Sequence, residues 1–303
     1  MDYCGVRQDV VKAAHPIVDD TCLSALMFWI NEREQIRIKK KQGQDFPWTA
    51  DPILSRYRFV NVRREHDRQT QYLIEHIVNN PELDIRDKIA NIILFRYWGQ
   101  WSTMAVFSGA WTRKELTTVQ PFKHAAEKYE EIIHSGKRFA FFTKAYPTTG
   151  VKLAVRKAFK TNNSVLGAFK LVRAAIRSQI PERAIKASTP KESMEVFKEL
   201  PGVANFLAYQ MWVDCTYIKG FPFTADSFVV VSPKSKNALT RLFKDRDGMT
   251  LEECVFWIRD NLTDGRLSVM NLEHCLSGFS EYYKAVMSKS RPKRRYKYEP
   301  DTE

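Results

Sequence analysis

One short segment concentrates side chains that could bind phosphate. Residues 58–70 read RFVNVRREHDRQT. If this segment is helical, residues three and four apart share one face. That face would carry Asn61, Arg64, Asp67 and Arg68. Arginines held by a carboxylate make fork-shaped clamps for phosphate, although the same pattern is typical of a solvated surface ion pair worth less than about 1 kcal/mol. Both interpretations stay open from the residues alone.

A tight turn lies between two predicted helices further along the chain. It reads Leu200-Pro201-Gly202-Val203-Ala204. The glycine permits a positive φ or a close approach of the backbone, and the amides that begin the next helix can face a phosphate. Helix-hairpin-helix DNA-binding motifs look like this, although their usual second glycine is Ala204 here. The alternative is an ordinary corner between two helices.

A single carboxylate follows this turn at a suggestive distance. Asp226 lies in PFTADSFVVV, 26 residues after Leu200. Helix-hairpin-helix DNA glycosylases place a catalytic aspartate at a similar distance, where it supports a developing cation or orients a nucleophile. Phe206 stands where bifunctional glycosylases carry a lysine, so Schiff-base lyase chemistry is not expected. The alternative role for Asp226 is a helix N-cap.

The composition narrows the class of partner. Lys and Arg number 48 against 35 Asp and Glu, a net charge of +13. This excess favours a polyanion, either nucleic acid or a phosphorylated substrate, although a basic soluble protein would show it too. The five cysteines form no CxxC pair, which argues against a zinc or iron–sulfur site and a disulfide framework. We expect no metal, a reducing cytoplasm and no secretion signal or membrane span.

Helical patterns dominate the chain, and the apolar fraction of 44% predicts a full core. The main predicted helices cover residues 23–41, 51–79, 84–101, 112–135, 151–180, 203–217 and 250–261, and Asp19 or Asp20 could cap the first. The predicted class is all-α. We expect a helical subdomain over 1–138, a hairpin-bearing subdomain over 139–287 whose final helices pack back on the first, and a basic flexible tail over 288–303.

Four segments occur in an order that is more specific than any one of them alone: RFVNVRREHDRQTQYLI, ILFRYWGQW, LPGVANFLAYQMWVDCTY and RLSVMNLEHCLSGFSEYYK. Over roughly residues 45–285 the chain resembles the glycosylase-like helical family of thymine hypermodification in bacterial viruses. That family includes the helical domain of 5-hydroxymethyluridine DNA kinases and the α-glutamyl/putrescinyl thymine pyrophosphorylases, which are amino acid:DNA transferases. The resemblance implies a helix-hairpin-helix DNA-glycosylase-like fold with the active-site cleft between two helical subdomains.

The chain departs from the family pattern at two places. Ser232-Pro233-Lys234 stands where Gly-Pro-Gly is frequent, and Ser277-Gly278-Phe279 stands where Cys-Glu-Phe is frequent. No G-x-x-x-x-G-K-[ST] phosphate loop occurs in the sequence, and we expect these residues to leave no room for a nucleotide-binding domain. We therefore expect the transferase branch rather than the kinase branch.

The resemblance implies a reaction and a substrate. An amino acid or polyamine would displace pyrophosphate from 5-(pyrophosphoryloxymethyl)uracil in DNA. The base must be flipped out of a duplex, the departing pyrophosphate needs fixed cations, and the incoming amine needs a base. We expect a monomer in the host cytoplasm and no cofactor; a magnesium ion with the pyrophosphate has no support in the sequence.

The motifs, the charge pattern and the resemblance together suggest a role for each candidate residue. Catalysis is assigned to Asp226, Asp214, His274 and Glu273. Pyrophosphate binding is assigned to Arg64, Arg68, Asp67, Asn61 and Arg96. The base pocket is assigned to Phe59, Tyr209, Gln210 and Tyr282. DNA binding is assigned to Gly202, Val203, Ala204, Lys152, Arg156, Lys157 and Lys160. Structural roles compete with several of these assignments, since an aspartate can satisfy a helix end and a lone helical histidine or an aromatic on an apolar helix is often structural.

Two other functions are consistent with the same residues. A base-excision glycosylase on the same fold would cut the glycosidic bond and need no amine. A non-catalytic DNA-binding module would use only the hairpin and the positive charge, and would therefore tolerate Asp226→Asn.

Overall fold

The computed structural model describes residues 6–107, 109–263, 265–288, 291–292 and 295–296. The described helices are α1 (Gln8–Ala13), α2 (Asp20–Lys41), α3 (Arg68–Leu73), α4 (Ile85–Trp98), α5 (Trp101–Val106), α6 (Arg113–Thr117), α7 (Gln120–His134), α8 (Thr149–Phe159), α9 (Gly167–Arg177), α10 (Ile180–Lys186), α11 (Pro190–Phe197), α12 (Asn205–Cys215), α13 (Pro233–Leu242), α14 (Leu251–Leu262) and α15 (Val269–Ser288). A 3-10 turn spans Arg64–His66, and a π-helical turn over Ile74–Val78 follows α3. Strands β1 (Ile17–Val18) and β2 (Phe243–Asp245) form a short antiparallel pair. The all-α prediction is confirmed.

The chain divides into two compact units. Unit 1 comprises Met1–Asp67 and Phe228–Glu303, and unit 2 comprises Arg68–Ser227. These limits do not coincide with the sequence-based segments 1–138 and 139–287. The reason lies inside unit 1, where α13 and α15 from the end of the chain pack on α2 from its beginning.

The core of unit 1 forms where α15 meets α2. Trp29 and Leu26 of α2 are fully buried. Gly278 of α15 permits this packing, because a Cβ at that position would lie 2.7 Å from Val60 Cγ2 and 2.9 Å from the Trp29 ring. The departure from the family pattern at Gly278 therefore has a local use: it lets the chain before α3 and the indole press against α15.

The predicted helix over residues 51–79 is wrong over residues 51–67. The Asp51 carboxylate accepts hydrogen bonds from two amides that follow it, at 2.9 and 2.7 Å, which makes a turn. The carbonyls of Phe59 and Val60 then accept from the buried Arg33 guanidinium, at 3.0 and 3.1 Å. Because these carbonyls bond to a side chain, the segment continues irregularly, and a helix begins only at Arg68.

Helix α4 is the centre of unit 2. Asp84 caps its beginning in a reciprocal capping box with Asp87, and Gly99, at φ +60°, ends it in the left-handed conformation. Its residues from Ile89 to Trp98 are all buried, as expected for a helix that is covered on every side. It packs against α9 and α12.

The C-terminal segment is only partly described. Arg295 forms an isolated antiparallel bridge with Tyr57, and the Tyr296 amide donates to the Arg56 carbonyl at 3.0 Å. The remainder of the predicted flexible tail beyond Ser288 lies outside the described residues, apart from positions 291–292. Within the described chain, none of the helices combines the length and apolar character that crossing a bilayer requires.

Candidate functional site

A carboxylate–imidazole pair lies in unit 1. Asp67 Oδ2 is 3.0 Å from Nε2 of His274, which α15 carries. Asp67 Oδ1 accepts a hydrogen bond from Asn61 Nδ2 at 2.9 Å, and the same amide nitrogen donates to the His66 carbonyl at 3.0 Å. Three residues predicted from the sequence are thus brought together, although as a bonded cluster rather than along a helix face.

The surroundings of Asp67 determine the charge of its carboxylate. Burial alone would raise the pKa of the Asp67 carboxyl, but the hydrogen bond from His274 and the charges of His274 and Arg64 outweigh it, and the pKa lies below its ordinary value. The carboxylate is therefore ionised at neutral pH and lies within hydrogen-bond distance of Nε2 of His274. In the neutral tautomer that donates from Nε2, Nδ1 would carry the lone pair that a general base needs.

Helix α15 also forms hydrogen bonds with the backbone of the segment that precedes Asp67. Asn271 Oδ1 accepts from the Arg64 amide at 2.8 Å, and Cys275 Sγ donates to the Val62 carbonyl at 3.3 Å. Sequence reasoning missed both Asn271 and Cys275. Their spacing from His274, three residues before and one after, places all three on neighbouring faces of one helix, and this is a signal that could have found them.

Glu273 has a structural contact in unit 1. Its carboxylate accepts from Ser235 Oγ at 2.7 Å and from the Ser232 amide at 3.2 Å. Ser232 is the N-cap of α13 and Pro233 its first residue, a favoured arrangement for a helix start. Ser232, which stands where glycine is frequent in the family, thus begins a helix that Glu273 supports. The catalytic role assigned to Glu273 stays a prediction.

Two of the predicted base-pocket aromatics meet in unit 1. The Phe59 and Tyr282 rings lie edge to face, with centroids 6.1 Å apart. Tyr282 is 5% exposed, and its hydroxyl donates to Asp51 Oδ2 at 2.9 Å. Burial and the Asp51 carboxylate raise the pKa of the Tyr282 phenol. The hydroxyl of Tyr282 therefore serves to fix the turn at Asp51.

A buried ion pair joins α4 to α12 in unit 2. Arg96 Nη2 lies 2.6 Å from Asp214 Oδ1, and Arg96 Nε bonds to Oδ2. The Arg96 and Asp214 side chains are 6% and 0% exposed. Burial alone would lower the pKa of Arg96, but the Asp214 charge and hydrogen bonds raise it. The sequence assigned one residue to pyrophosphate and the other to catalysis; the structure places each as the bidentate partner of the other.

The other two residues predicted to contact the base in unit 2 are also buried. Tyr209 is 3% exposed and Gln210 is 8% exposed. The Tyr209 ring stacks with that of Trp212, with centroids 6.1 Å apart. Tyr209 thus belongs to the packed interior of α12, the alternative that the sequence left open for it.

Arg68 is the exposed member of the predicted pyrophosphate group. Its guanidinium carbon lies 4.2 Å from the centroid of the Trp101 ring, a cation–π distance. Gln69 holds the same tryptophan, because its Oε1 accepts from the Trp101 amide at 2.7 Å. Trp101, which sequence reasoning missed, thus supports a guanidinium whose polar edge is available to an anion.

The predicted hairpin turn rests on the predicted basic helix. Gly202 has φ +76°, and a Cβ there would lie 2.7 Å from both Ala154 Cβ and Val151 Cα of α8. Exposed Arg156, Lys157 and Lys160 lie along or just beyond α8, with Lys152 half-buried. Residues 132–181 contain ten Lys and Arg and no Asp or Glu. The structure therefore packs the predicted hairpin turn against the predicted basic helix within unit 2.

The turn leads into the N-terminus of α12. Ala204, at the N-cap position of α12, makes no side-chain cap. Gly202, Ala204, Asn205 and Phe206 are exposed, while Val203 is buried and its amide bonds to the Leu200 carbonyl at 3.0 Å. Helix N-termini of this kind favour anions.

Asp226 lies in an exposed turn of unit 2, where its amide donates to Thr224 Oγ1 at 3.3 Å. The alternative that Asp226 caps the next helix is wrong, since α13 begins at Pro233 with Ser232 as its cap. The catalytic role of Asp226 stays a prediction. Among the residues that the structure describes, no group of three or more His, Cys, Asp or Glu could hold a metal ion.

Comparison with known proteins shows which family this chain belongs to. The chain is 29% identical over 264 residues to a protein of Bacillus phage SP10 named 5-hmdU DNA kinase, and the match covers 82% of this chain but only 40% of the kinase. No solved structure matches the chain. The model of the family described as "5-hmdU DNA kinase, helical domain" matches residues 20–290. The chain therefore belongs to the 5-hmdU DNA kinase helical-domain family.

Proposed function

We propose that this chain is a phage DNA-modifying enzyme of thymine hypermodification, which replaces the pyrophosphate of 5-(pyrophosphoryloxymethyl)uracil in DNA with an amino acid or polyamine. The observation that carries the proposal is the Asp67–His274 pair, with its 3.0 Å contact. Family membership supports the substrate class, because the relative is named for 5-hmdU DNA. The proposed substrate is a pyrophosphorylated form of that same hydroxymethyl base.

The imidazole supplies the base that the reaction needs. An amine is protonated in neutral water, and its nitrogen lone pair must be released before it can attack. In the proposal, Nδ1 of His274 removes that proton while Asp67 stabilises the imidazolium that forms. The amine nitrogen then bonds to the exocyclic methylene carbon, and the C–O bond to pyrophosphate breaks. Pyrophosphate leaves with the electron pair, and the remaining excess N–H proton passes to solvent.

Cationic side chains stabilise the leaving group and hold the DNA. Arg68, exposed over Trp101, presents donors to the negative charge that builds on the departing oxygen. The hairpin turn at Gly202 and the basic α8 bind the phosphate backbone through amides and point charges. Asp226 is retained as a second candidate for orienting the amine.

The direct test is mass spectrometry of nucleosides. Purified protein is incubated with DNA that carries the pyrophosphorylated base and with a pool of amino acids and polyamines. We expect a nucleoside that carries one amine in place of pyrophosphate, and released pyrophosphate. His274→Gln should abolish product, whereas His134→Gln, which changes an exposed histidine of α7, should not. Free base and abasic sites would instead establish a glycosylase.

A second candidate, a non-catalytic DNA-binding module, is favoured by one observation. The match covers only 40% of the 5-hmdU DNA kinase. In this second candidate, the catalytic part of that kinase lies outside the region that it shares with this chain. A module of this kind would leave the substrate unchanged with every amine while still binding DNA. It would also tolerate Asp67→Asn and Asp226→Asn, because a DNA reader needs no catalytic base.

A further inference from the structure

An exposed aromatic side chain begins α12. Phe206 is 47% exposed, whereas every residue from Leu207 to Cys215 on the same helix is buried. Phe206 comes one helical turn before Tyr209, the aromatic residue that the sequence assigned to the base pocket and that the structure buries. The aromatic surface that α12 offers to a ligand is therefore Phe206.

Tyr146 gives this ring a fixed neighbour in unit 2. The Phe206 and Tyr146 rings lie with centroids 5.3 Å apart at 61°. The Tyr146 hydroxyl donates to the Arg96 carbonyl at 3.0 Å, at the end of α4. Gly99 makes room for it, because a Cβ at Gly99 would overlap the Tyr146 hydroxyl. The Tyr146 ring is thus held in place before any ligand arrives, which lowers the entropic cost of binding.

The surroundings of the pair carry positive charge. Both Tyr146 and the adjacent exposed Lys144 belong to the stretch 132–181, which lacks any Asp or Glu. Lys152 Nζ lies 4.8 Å from the centroid of the Phe142 ring in the same stretch. Gly202 of the hairpin turn precedes Phe206 by one helical turn of sequence. Aromatic rings interleaved with cations and open amides match a ligand made of bases joined by phosphates.

We infer that Phe206 and Tyr146 form a stacking site for an unpaired base of DNA. Every base presents a π-face, so such a site accepts any sequence. A paired base within a duplex has both faces covered, so the site discriminates single strands and extruded bases from intact duplex. This inference rests on the proposal that the chain acts on DNA, and it names a place where a base outside the helix is held.

Fluorescence anisotropy with unmodified DNA tests the site without requiring catalysis. The probes are a labelled single strand and the same strand in a fully paired duplex, each titrated at several salt concentrations. Phe206→Ala should weaken single-strand binding by roughly 5- to 150-fold, the range for loss of one base-stacking aromatic. Duplex affinity and the salt dependence of binding should stay within about twofold, because the phosphate contacts remain. Phe206→Trp should restore single-strand affinity.

Phe28 offers a matched control, because it is 45% exposed and lies on α2 of unit 1. Phe28→Ala should leave both affinities unchanged. The inference is overturned if Phe206→Ala binds the single strand as tightly as the parent protein, or if it loses single-strand and duplex binding equally. Failure of the parent protein to bind either DNA would overturn both this inference and the proposed function. Normal stacking without amine transfer would overturn the transferase alone.

Discussion

The buried Arg96–Asp214 pair allows a sharp test of structural against catalytic roles. The pair is bidentate, with one contact of 2.6 Å, and both side chains are almost fully buried. Removing one member leaves an uncompensated buried charge, which costs about 3–5 kcal/mol. We therefore expect Arg96→Met and Asp214→Leu each to lower the melting temperature by about 6–20 °C, at roughly 2–4 °C per kcal/mol for a unit of this size.

The double variant Arg96→Met/Asp214→Leu should recover much of the stability that each single change loses. No charge stays buried without its partner, and replacement of a buried ion pair by apolar side chains is often close to neutral. A double-mutant cycle from urea and thermal unfolding should therefore give a coupling energy of at least about 2 kcal/mol. Nucleoside mass spectrometry on the same proteins reports activity.

An exposed pair in the same unit provides the control. Arg183 and Glu199 are also bidentate, with one contact of 2.6 Å, but their side chains are 46% and 49% exposed. Arg183→Met should cost less than about 1 kcal/mol. The reasoning is refuted if Asp214→Leu melts like the parent protein yet forms no product. That result would make Asp214 a catalytic residue, as the sequence suggested.

Three further predictions concern the other features. Asp67→Asn should reduce amine transfer at least about 100-fold, because an amide no longer fixes the tautomer of the His274 imidazole. The circular dichroism spectrum and the DNA affinity should stay unchanged. Unchanged turnover would show that the Asp67–His274 pair takes no part in the reaction. Gly202→Ala should weaken duplex binding and destabilise the protein by about 1–3 kcal/mol, because the added Cβ would meet α8. Gly220→Ala is the control: it has φ +89° but open space around its Cβ, so it should show only the cost of a left-handed backbone. Equal effects of the two changes would exclude the α8 contact as the cause. The hydrogen bond from Arg7 lowers the pKa of Glu253 from 4.5 to about 2, so this contact stabilises the fold above pH 4.5 and its contribution is lost as the pH falls toward 2. Arg7→Ala should therefore reduce the acid dependence of the melting temperature between pH 4.5 and 2. An unchanged pH profile would show that the Arg7–Glu253 contact does not cause this dependence.

Local patterns predicted much of the helical framework. The segment 20–41 is one helix because Asp19 caps it, with the Cys22 amide 2.8 Å from its carboxylate, and because an apolar stripe follows. The helix that starts after Asp84 was likewise predicted, and it ends at Gly99 for the usual reason that glycine accepts a left-handed backbone. These elements depend on residues that are neighbours in the chain.

The segment before α3 shows where local patterns fail. Residues 58–67 have the i, i+3, i+4 charge spacing of a helix, yet their carbonyls bond to Arg33 and Cys275. A charge pattern reports which residues could share a helix face, but the side chains from distant segments decide whether a helix forms. The same reason explains the contacts of Asp67, whose partners are Asn61 and His274.

The sequence by itself determined the helical class, the main helix caps, the excess of positive charge and the family. Each of these depends on the composition or on the order of residues that are close together in the sequence, and both can be determined without the structure. Tertiary structure alone decided that Arg96 and Asp214 neutralise each other, that Asp67 orients His274, and that Phe206 rather than Tyr209 is exposed. Side-chain pairs form between residues up to 246 positions apart. Only the packed fold brings such residues within the few ångströms over which a hydrogen bond forms.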